Sequence, residues 1–329
     1  MSSDTVRLPS DQRRETLAIL ARYGVLIALV ALIVFNIAFT RNFVSIQTLN
    51  VNLTQVCTTV IVGVGMTLVI AAGGIDLSVG SLMAIAGTLA PLIFLGNLFP
   101  VDPTLGVALA FVLPVLAAGC FGWFNGWLIT RYDIQPIVAT LVLFIAGRGI
   151  AQVMTNGNLQ VFKNEAFQFI GLGRVFGVPF QVILMLIAVA LGAFVLRRMA
   201  FGRQVLAVGG NEQAARLSGV PIIGVKRLVY TLSGLLAGVA GLIVVARNSS
   251  SDANLVGLGA ELDAIAAVAV GGTLLTGGRA TIVGTLIGAL VIQLVRYTLL
   301  ANGVPDAAAL IVKAGLIVLA VAIQRQTER

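Results

Sequence analysis

Histidine is absent from this sequence of 329 residues, and cysteine and charged residues are scarce. The two cysteines, Cys57 and Cys120, each lie within an apolar run. These absences exclude a zinc site of cysteine and histidine, a Ser-His-Asp triad and a disulfide framework. Charged residues make up 10% of the chain, whereas a soluble domain usually has about a quarter. So few charges cannot cover a surface in water, which indicates an integral membrane protein.

Lysine is also scarce, and this bears on the use of ATP. The three lysines, Lys163, Lys226 and Lys313, follow Phe, Val and Val, so none belongs to a Gly-x4-Gly-Lys-Ser/Thr phosphate loop. The chain is therefore predicted not to be an enzyme, and any ATP-driven process needs a separate subunit that binds ATP and magnesium. Carboxylates in the apolar runs are few and lie near their ends, which argues against coupling to protons or sodium.

Long hydrophobic runs dominate what the sequence does contain. A membrane-spanning helix needs about 20 mainly apolar residues, and the chain is 58% hydrophobic with a mean hydropathy of +1.03. We predict an all-α, polytopic bundle of about ten spans, which forms one domain over 23–323 between tails at 1–22 and 324–329. The predicted spans are Tyr23–Thr40, Asn52–Ala72, Leu77–Leu98, Leu105–Ile129, Pro136–Met154, Val178–Leu196, Leu228–Ala246, Leu262–Leu275, Ala280–Leu300 and Ala307–Ile323.

The net charge of +8 is distributed unevenly between the two sides of this bundle. Fourteen of the 21 Lys and Arg residues lie on the side of both termini and the Arg197–Arg227 loop, and four lie on the other side. Cytoplasmic loops carry such an excess of basic residues. We therefore predict a multi-pass protein of the bacterial inner membrane with both termini in the cytoplasm, and no nucleic-acid partner.

Glycine is abundant, with 37 residues, and part of it is spaced for helix contact. A Gly-x3-Gly spacing opens a groove on one helix face, where another backbone can approach closely. We expect such contacts at three motifs: Gly122-x3-Gly126, Gly234-x3-Gly238 and Gly284-x3-Gly288.

A first helix break is predicted between the second and third spans, at Gly73 and Gly74. Paired glycines release the backbone from a helix, and Asp76 with Ser78 can cap the helix that resumes at about Leu77. Irregular backbone at membrane depth is tolerated only where it faces protein or water. Two interpretations therefore stay open, a capped structural break and a break that lines a translocation pathway.

A second break is predicted near 271–279, at Gly271 and Gly272. Glu261 and Asp263 precede it, and carboxylates at a span start are most simply partners of the helix dipole. A shift of 204 residues aligns Gly73-Gly74 with Gly277-Gly278. Chance also accounts for such identities in a Gly/Leu/Val-rich sequence, so no topology rests on them.

Arg148 lies inside the fifth predicted span, between two glycines. A guanidinium in the membrane needs a partner or a watery cavity. A structural ion pair or a side chain reaching the interface is favoured over a contact with a transported solute.

The Arg197–Arg227 loop contains a compact helix signal, with Asn211 as N-cap, Glu212 in the first turn and Gly219 past the end. A helix of about seven residues is marginal in water, so it needs a surface to dock against. Its small, smooth face for a protein partner is predicted at Ala214, Ala215 and Leu217.

Three motifs in order resemble the permease subunit of ribose-type ABC sugar importers, a group that includes xylose, arabinose, galactose and autoinducer-2 permeases. They are Gly-Gly-Ile-Asp-Leu-Ser-Val-Gly, Gly-Gly-Asn-Glu-x-Ala-Ala-Arg-Leu-Ser-Gly, and Leu-Asp-Ala-Ile-Ala-Ala…Gly-Gly-Thr…Gly-Gly-Arg. The resemblance covers about Asn50 to Ile323. It implies a cytoplasmic ATP-binding subunit, a periplasmic sugar-binding protein, a second copy of the chain, and membrane lipid around them.

The resemblance also implies roles for particular residues. The segment that couples to the ATPase would comprise Gly209, Gly210, Asn211, Glu212, Ala214, Ala215, Arg216 and Gly219. The translocation pathway at the broken helices would comprise Gly73, Gly74, Asp76, Ser78, Asp263, Gly271 and Gly272. Gln213 departs from the common Glu-Ala-Ala-x3-Gly loop, because it separates Glu212 from the two alanines. No metal or resident cofactor is expected.

Alternatives remain at this stage. Branched-chain amino-acid permeases resemble the chain in hydropathy, but they carry an Asn-Phe-Ala-His-Gly-like segment near the first break, where this chain has Ile-Asp-Leu-Ser and no histidine. Sugar is therefore favoured over amino acids or nucleosides. A stand-alone secondary carrier is the alternative from another class. The spans hold few aromatic or carboxamide residues, so the sequence does not indicate which sugar passes.

Overall fold

The computed structural model describes residues 9–305, 307–312, 314–315 and 318, with the backbone alone for 9–23. Helices account for most of this part of the chain, and residues 307–312 are helical as well. The helices are α1 (Pro9–Phe39), α2 (Ile46–Ala71), α3 (Val79–Phe94), α4 (Pro103–Tyr132), α5 (Pro136–Thr155), α6 (Glu165–Leu172), α7 (Phe180–Arg198), α8 (Ala200–Gly210), α9 (Glu212–Leu217), α10 (Ile222–Asn248), α11 (Ala260–Val270) and α12 (Ile282–Ala301).

Six of these helices are long and apolar enough to cross a membrane: α2, α4, α5, α7, α10 and α12. Two shorter apolar helices accompany them, α3 and the part of α1 over Gly24–Phe39. Nine of the ten predicted spans coincide with a helix, and the all-α polytopic bundle is confirmed. The tenth span, Ala307–Ile323, is described only in part, and its end from 319 onward lies outside the described residues. So does the tail at 324–329, while the tail at 1–22 is described only from Pro9.

Helix α2 is the centre of the bundle. It contacts α7, α10, α11 and α12, and it is buried almost continuously from Val56 to Ala71. The three glycine motifs make the close contacts that were predicted from their spacing. Gly122 on α4 and Gly234 on α10 face each other, and a Cβ on either would lie 3.2 Å from the Cα of the other. On α12, Gly284 and Gly288 pack against the backbone of α11 and its C-terminal cap.

Both predicted helix breaks are present, and each is longer than expected. The first runs over 72–78, and α3 begins at Val79 and not at Leu77. The second runs over 271–281, because α11 ends at Val270 and α12 starts after Thr281, whose side chain caps the Gly284 N–H. Helices α3 and α12 therefore each begin directly after a segment of irregular backbone.

The loop between α7 and α10 is shorter and more helical than predicted. It runs over 199–221, because α7 continues to Arg198 and α10 begins at Ile222. Asn211 caps the Ala214 N–H and Gly219 has a φ of +78°, as the predicted short helix requires. That helix, α9, has six residues. Helix α8, which precedes it, was not foreseen.

Four two-residue strands lie near the bundle end opposite this loop. They are β1 (Gln160–Val161), β2 (Arg174–Val175), β3 (Val178–Pro179) and β4 (Ser250–Ser251). Strand β1 pairs antiparallel with β4, and β2 pairs antiparallel with β3. We call the end that carries 199–221 the loop end, and the other the far end.

Candidate functional site

Three glycine pairs meet at the loop end, where the two helix breaks and helix α8 converge. Gly73-Gly74 follows α2, Gly209-Gly210 ends α8, and Gly277-Gly278 lies in the second break. The Gly278 N–H donates to the carbonyl oxygen of Ala71 over 3.1 Å, which ties the second break to the end of α2, next to the first break. We call these three pairs the glycine junction. The two pairs aligned by the internal repeat thus lie side by side.

Glycine is required at this junction for two physical reasons. Gly73, Gly277 and Gly278 have φ angles of +81°, +92° and +77°, which side chains disfavour. A Cβ on Gly277 would lie 2.9 Å from the Gly209 carbonyl oxygen and 3.0 Å from the Gly73 Cα. A Cβ on Gly209 would overlap the carbonyl oxygen of Ala71. Backbone therefore packs on backbone, and the loop 199–221 contacts both breaks directly.

A buried polar network stabilises the first break. Asp76 is 0% exposed, and its Oδ1 accepts from the Ser78 N–H (3.0 Å) and hydroxyl (2.6 Å). Its Oδ2 accepts from the Ser233 hydroxyl on α10 over 2.8 Å. A buried carboxylate is tolerated when it is hydrogen-bonded in this way. Asp76 therefore joins the break to α10, and it lies two residues before the N-cap, Ser78.

Two further residues complete this network, and sequence reasoning missed both. The Asn125 side chain on α4 donates to the Ser78 Oγ over 2.9 Å, and the Thr140 hydroxyl on α5 accepts from the Leu77 N–H over 3.1 Å. Asn125 and Thr140 are fully buried. Their signal in the sequence is a polar residue inside an apolar span, which is costly in a membrane unless it has a partner.

Replacing Asp76 with alanine is expected to lower transport by about tenfold while the chain still inserts and assembles. The Ser78 N–H and two hydroxyls lose their acceptor, and each unsatisfied buried donor costs about 1–3 kcal/mol. The Asp76→Asn variant keeps the shape and one acceptor oxygen, so we expect it to stay near wild type in folding. Transport and thermal unfolding of both variants measure the difference. Normal transport by Asp76→Ala would show that the Asp76 carboxylate is dispensable for transport.

The remaining predicted pathway residues are not gathered around Asp76. Gly271 packs against the backbone of Gly284 where α11 ends, and Gly272 follows with a φ of +84°. Asp263 lies in the first turn of α11, at the opposite end of that helix. The structure thus brings Gly73, Gly74, Asp76 and Ser78 together, places Gly271 and Gly272 in the second break, and leaves Asp263 apart.

Arg148 stabilises an irregular segment that the sequence did not reveal. Residues 252–259 pass alongside α3, where a Cβ on Gly87 would lie 3.3 Å from a Val256 methyl. Arg148 donates through Nη1 to the carbonyl oxygens of Ala253 (2.9 Å) and Val256. Backbone carbonyls inside a bundle need such partners. Arg148 therefore has structural partners, as a guanidinium in a span requires, and they include main-chain oxygens of this segment.

The predicted coupling residues divide between the junction and an exposed helix. Gly209 and Gly210 belong to the junction, whereas α9 lies outside it. Glu212 forms an ion pair with Lys226 on α10 (2.7 Å), which holds α9 against that helix, and a second one within α9 with Arg216 (3.7 Å). Ala214 and Arg216 are exposed.

One detail of the predicted partner face is corrected by the structure. Ala215 is only 5% exposed, because it packs into the bundle, whereas Leu217 is 90% exposed. Residues two apart on a helix point in different directions. Ala215 therefore anchors α9, and Leu217 is its most exposed apolar side chain.

A groove of about 680 Å³ lies between α9 and the end of α4. We call it the docking groove, and it is lined by Asp133, Glu212, Gln213, Arg216 and Leu217. Asp133 is the C-terminal cap of α4. The structure places it next to α9, so the two form one surface.

The fold and this site define a polytopic membrane permease with helix breaks joined to an exposed loop. A family model described as "Branched-chain amino acid transport system / permease component" matches residues 48–321. The chain therefore belongs to that permease family.

Individual relatives match over most of their length. The ribose import permease protein of Escherichia coli K12 is 41% identical over 98% of this chain and 100% of its own. The galactofuranose transporter permease protein of the same strain is 40% identical over 81% of this chain and 76% of its own. The L-arabinose ABC transporter permease protein of Azospirillum brasilense is 35% identical over 79% and 74%. No solved structure matches the chain.

Proposed function

We propose that this chain is the membrane permease of an ATP-driven importer that moves a monosaccharide into the cytoplasm. Relatives named for ribose, galactofuranose, fructose and L-arabinose support the sugar. The family model carries a branched-chain amino-acid name. Amino-acid transport remains the second candidate on that ground.

The observation that carries this proposal is the contact of Gly209 with both helix breaks. Only Gly210 and Asn211 separate α9 from Gly209, so a force on α9 reaches Gly209 directly and there meets the backbone of Ala71 and Gly278. Close backbone packing transmits displacement because it has no side-chain slack. ATP hydrolysis in a partner docked in the groove would thus move both breaks together.

The proposal assigns a side of the membrane and a set of partners. The excess of Lys and Arg supports a cytoplasmic loop 199–221 in a bacterial inner membrane. An ATPase subunit that binds ATP and magnesium would dock there, and a periplasmic sugar-binding protein would meet the far end. A second copy of the chain would complete the pathway within the lipid bilayer.

The docking surface is tested by replacing Leu217 with aspartate. Burying an unpaired charge at a tight contact is costly, so we expect co-purification of the ATPase to fall by at least about tenfold. Ser218→Asp is the matched control, because it adds the same charge at the adjacent residue, which does not line the groove. We expect it to change co-purification by less than about twofold.

Two readouts decide the matter, namely the amount of ATPase retained on the tagged chain and the ATP turnover stimulated by loaded binding protein. Both should fall in Leu217→Asp, while the amount of inserted chain stays constant. Full retention together with normal stimulation would remove the docking groove from the mechanism. Because ATP is cytoplasmic, loss of the ATPase also supports the proposed orientation.

A further inference from the structure

A cleft at the far end has a lining unlike the rest of the apolar bundle. It has a volume of about 380 Å³ and lies between the first turns of α2 and strand β2. Pockets that bind small molecules begin at about 300 Å³. The lining residues are Ile46, Gln47, Asn50, Val51, Thr54 and Arg174.

The polar side chains of the cleft lie on one helix face. Gln47, Asn50 and Thr54 are separated by three and four positions, which places them above one another on α2. Arg174 approaches this row from β2 and is exposed. Four polar groups from two elements thus converge on one space.

Neighbouring carboxamides on α2 differ in whether they have a partner. Asn52 and Gln55 both accept from the side chain of Gln293 on α12, over 3.3 and 2.7 Å. Within the described part of the chain, the side chains of Gln47 and Asn50 make no hydrogen bond. The guanidinium of Arg174 makes none there either. The two carboxamides and the guanidinium that face the cleft are therefore free for a ligand. The Thr54 hydroxyl already donates to the Val51 carbonyl oxygen over 3.0 Å, and the carboxamides beside the cleft are used by Gln293.

The chemistry of this lining selects a class of ligand. Carboxamides donate and accept hydrogen bonds, and a guanidinium donates them. The hydroxyl groups of a ligand can do both, so they can pair with either kind of side chain. Among the described residues, no carboxylate lines the cleft to bind a cation, and Arg174 is the one basic residue in the lining that could bind an anion. Ile46 and Val51 add apolar surface for C–H groups. A neutral, polyhydroxylated molecule fits this combination.

We propose that this cleft is a monosaccharide-binding site at the far end of the permease, an inference that rests on the proposed function. Helix α2 runs for 26 residues from the cleft to Ala71, which is about 39 Å at 1.5 Å per residue. One continuous helix thus carries the sugar site at one end and the glycine junction at the other. A sugar delivered outside would be held here before it passes the bundle.

The test is direct binding of D-ribose, L-arabinose and D-fructose to the purified chain in lipid nanodiscs, measured by saturation-transfer NMR. The double variant Gln47→Met, Asn50→Leu keeps side-chain volume and removes the hydrogen bonds. We expect it to weaken binding of the preferred sugar by at least about tenfold. Arg174→Met, on a separate element, should weaken the same binding, and it serves if the double variant does not fold.

The matched control is Gln55→Met, a carboxamide on the same helix that lies outside the cleft. It should leave sugar binding within about twofold of wild type. Unchanged sugar binding in the double variant and in Arg174→Met would contradict the proposal that the cleft binds sugar. So would weaker capture of the binding protein by Arg174→Met with unchanged sugar binding, because the cleft would then be a protein-docking surface.

ATP-driven uptake of the same sugars by wild type separates this inference from the proposed function. If wild type takes up sugar and the cleft variants bind it as wild type does, only the proposal that the cleft binds sugar is contradicted. A wild-type complex that neither binds nor takes up any of the three sugars contradicts both.

Discussion

Replacing Gly209 with alanine is expected to reduce ATP-driven transport by at least about tenfold while the ATPase still binds. The added methyl group would overlap the carbonyl oxygen of Ala71 and lie 2.7 Å from the Gly278 nitrogen. Both obstacles are backbone atoms, so no side-chain rotation relieves them, and overpacking of this kind costs about 1–3 kcal/mol. The loop 199–221 must then separate from the breaks that it is proposed to drive. Docking survives because the groove is untouched.

Gly210→Ala is a matched control for this variant. A Cβ at Gly210 would lie 3.9 Å from its nearest neighbour, the Gly278 Cα, which is ordinary contact. We expect Gly210→Ala to transport within about twofold of wild type. The measurement is sugar uptake alongside ATP turnover, in complexes matched for ATPase content. Equal uptake by the two variants would show that the glycine junction does not transmit movement from the loop 199–221 to the helix breaks.

The sequence predicted those parts of the fold that depend on local pattern. Apolar length predicted the spans, paired glycines predicted both breaks, and Asn211 with Gly219 predicted the short helix in the loop. Each of these signals is carried by residues that are close together in the sequence, so it can be read without knowing the tertiary structure.

Features that depend on contacts between distant segments could not be read in this way. The burial of Ala215 follows from how α9 lies on the bundle, and the carbonyl partners of Arg148 lie more than 100 positions away in the chain. The pairing of Gly73 with Gly277 was visible only as a weak repeat. The helix face on which a carboxamide lies also determines whether it has a partner. Asn52 accepts a hydrogen bond from Gln293, whereas Asn50, two positions away, does not.

The second large effect concerns the chain on its own, which we expect to transport no sugar. The first break is closed by a fully buried network around Asp76, and the second is packed against Gly209. Opening them requires energy, and the chain has no phosphate loop with which to capture it. A secondary carrier, in contrast, would need no partner, and its transport would follow an ion or solute gradient.

Reconstitution in proteoliposomes tests this central claim most directly. Radiolabelled D-ribose, L-arabinose and D-fructose are offered outside vesicles that hold the chain alone, or the chain with its ATPase, with binding protein outside and ATP inside. We predict uptake only when the ATPase, the binding protein and ATP are all present, and none when ATP is replaced by a non-hydrolysable analogue. Uptake by vesicles that contain this chain alone would contradict the account and identify a stand-alone carrier.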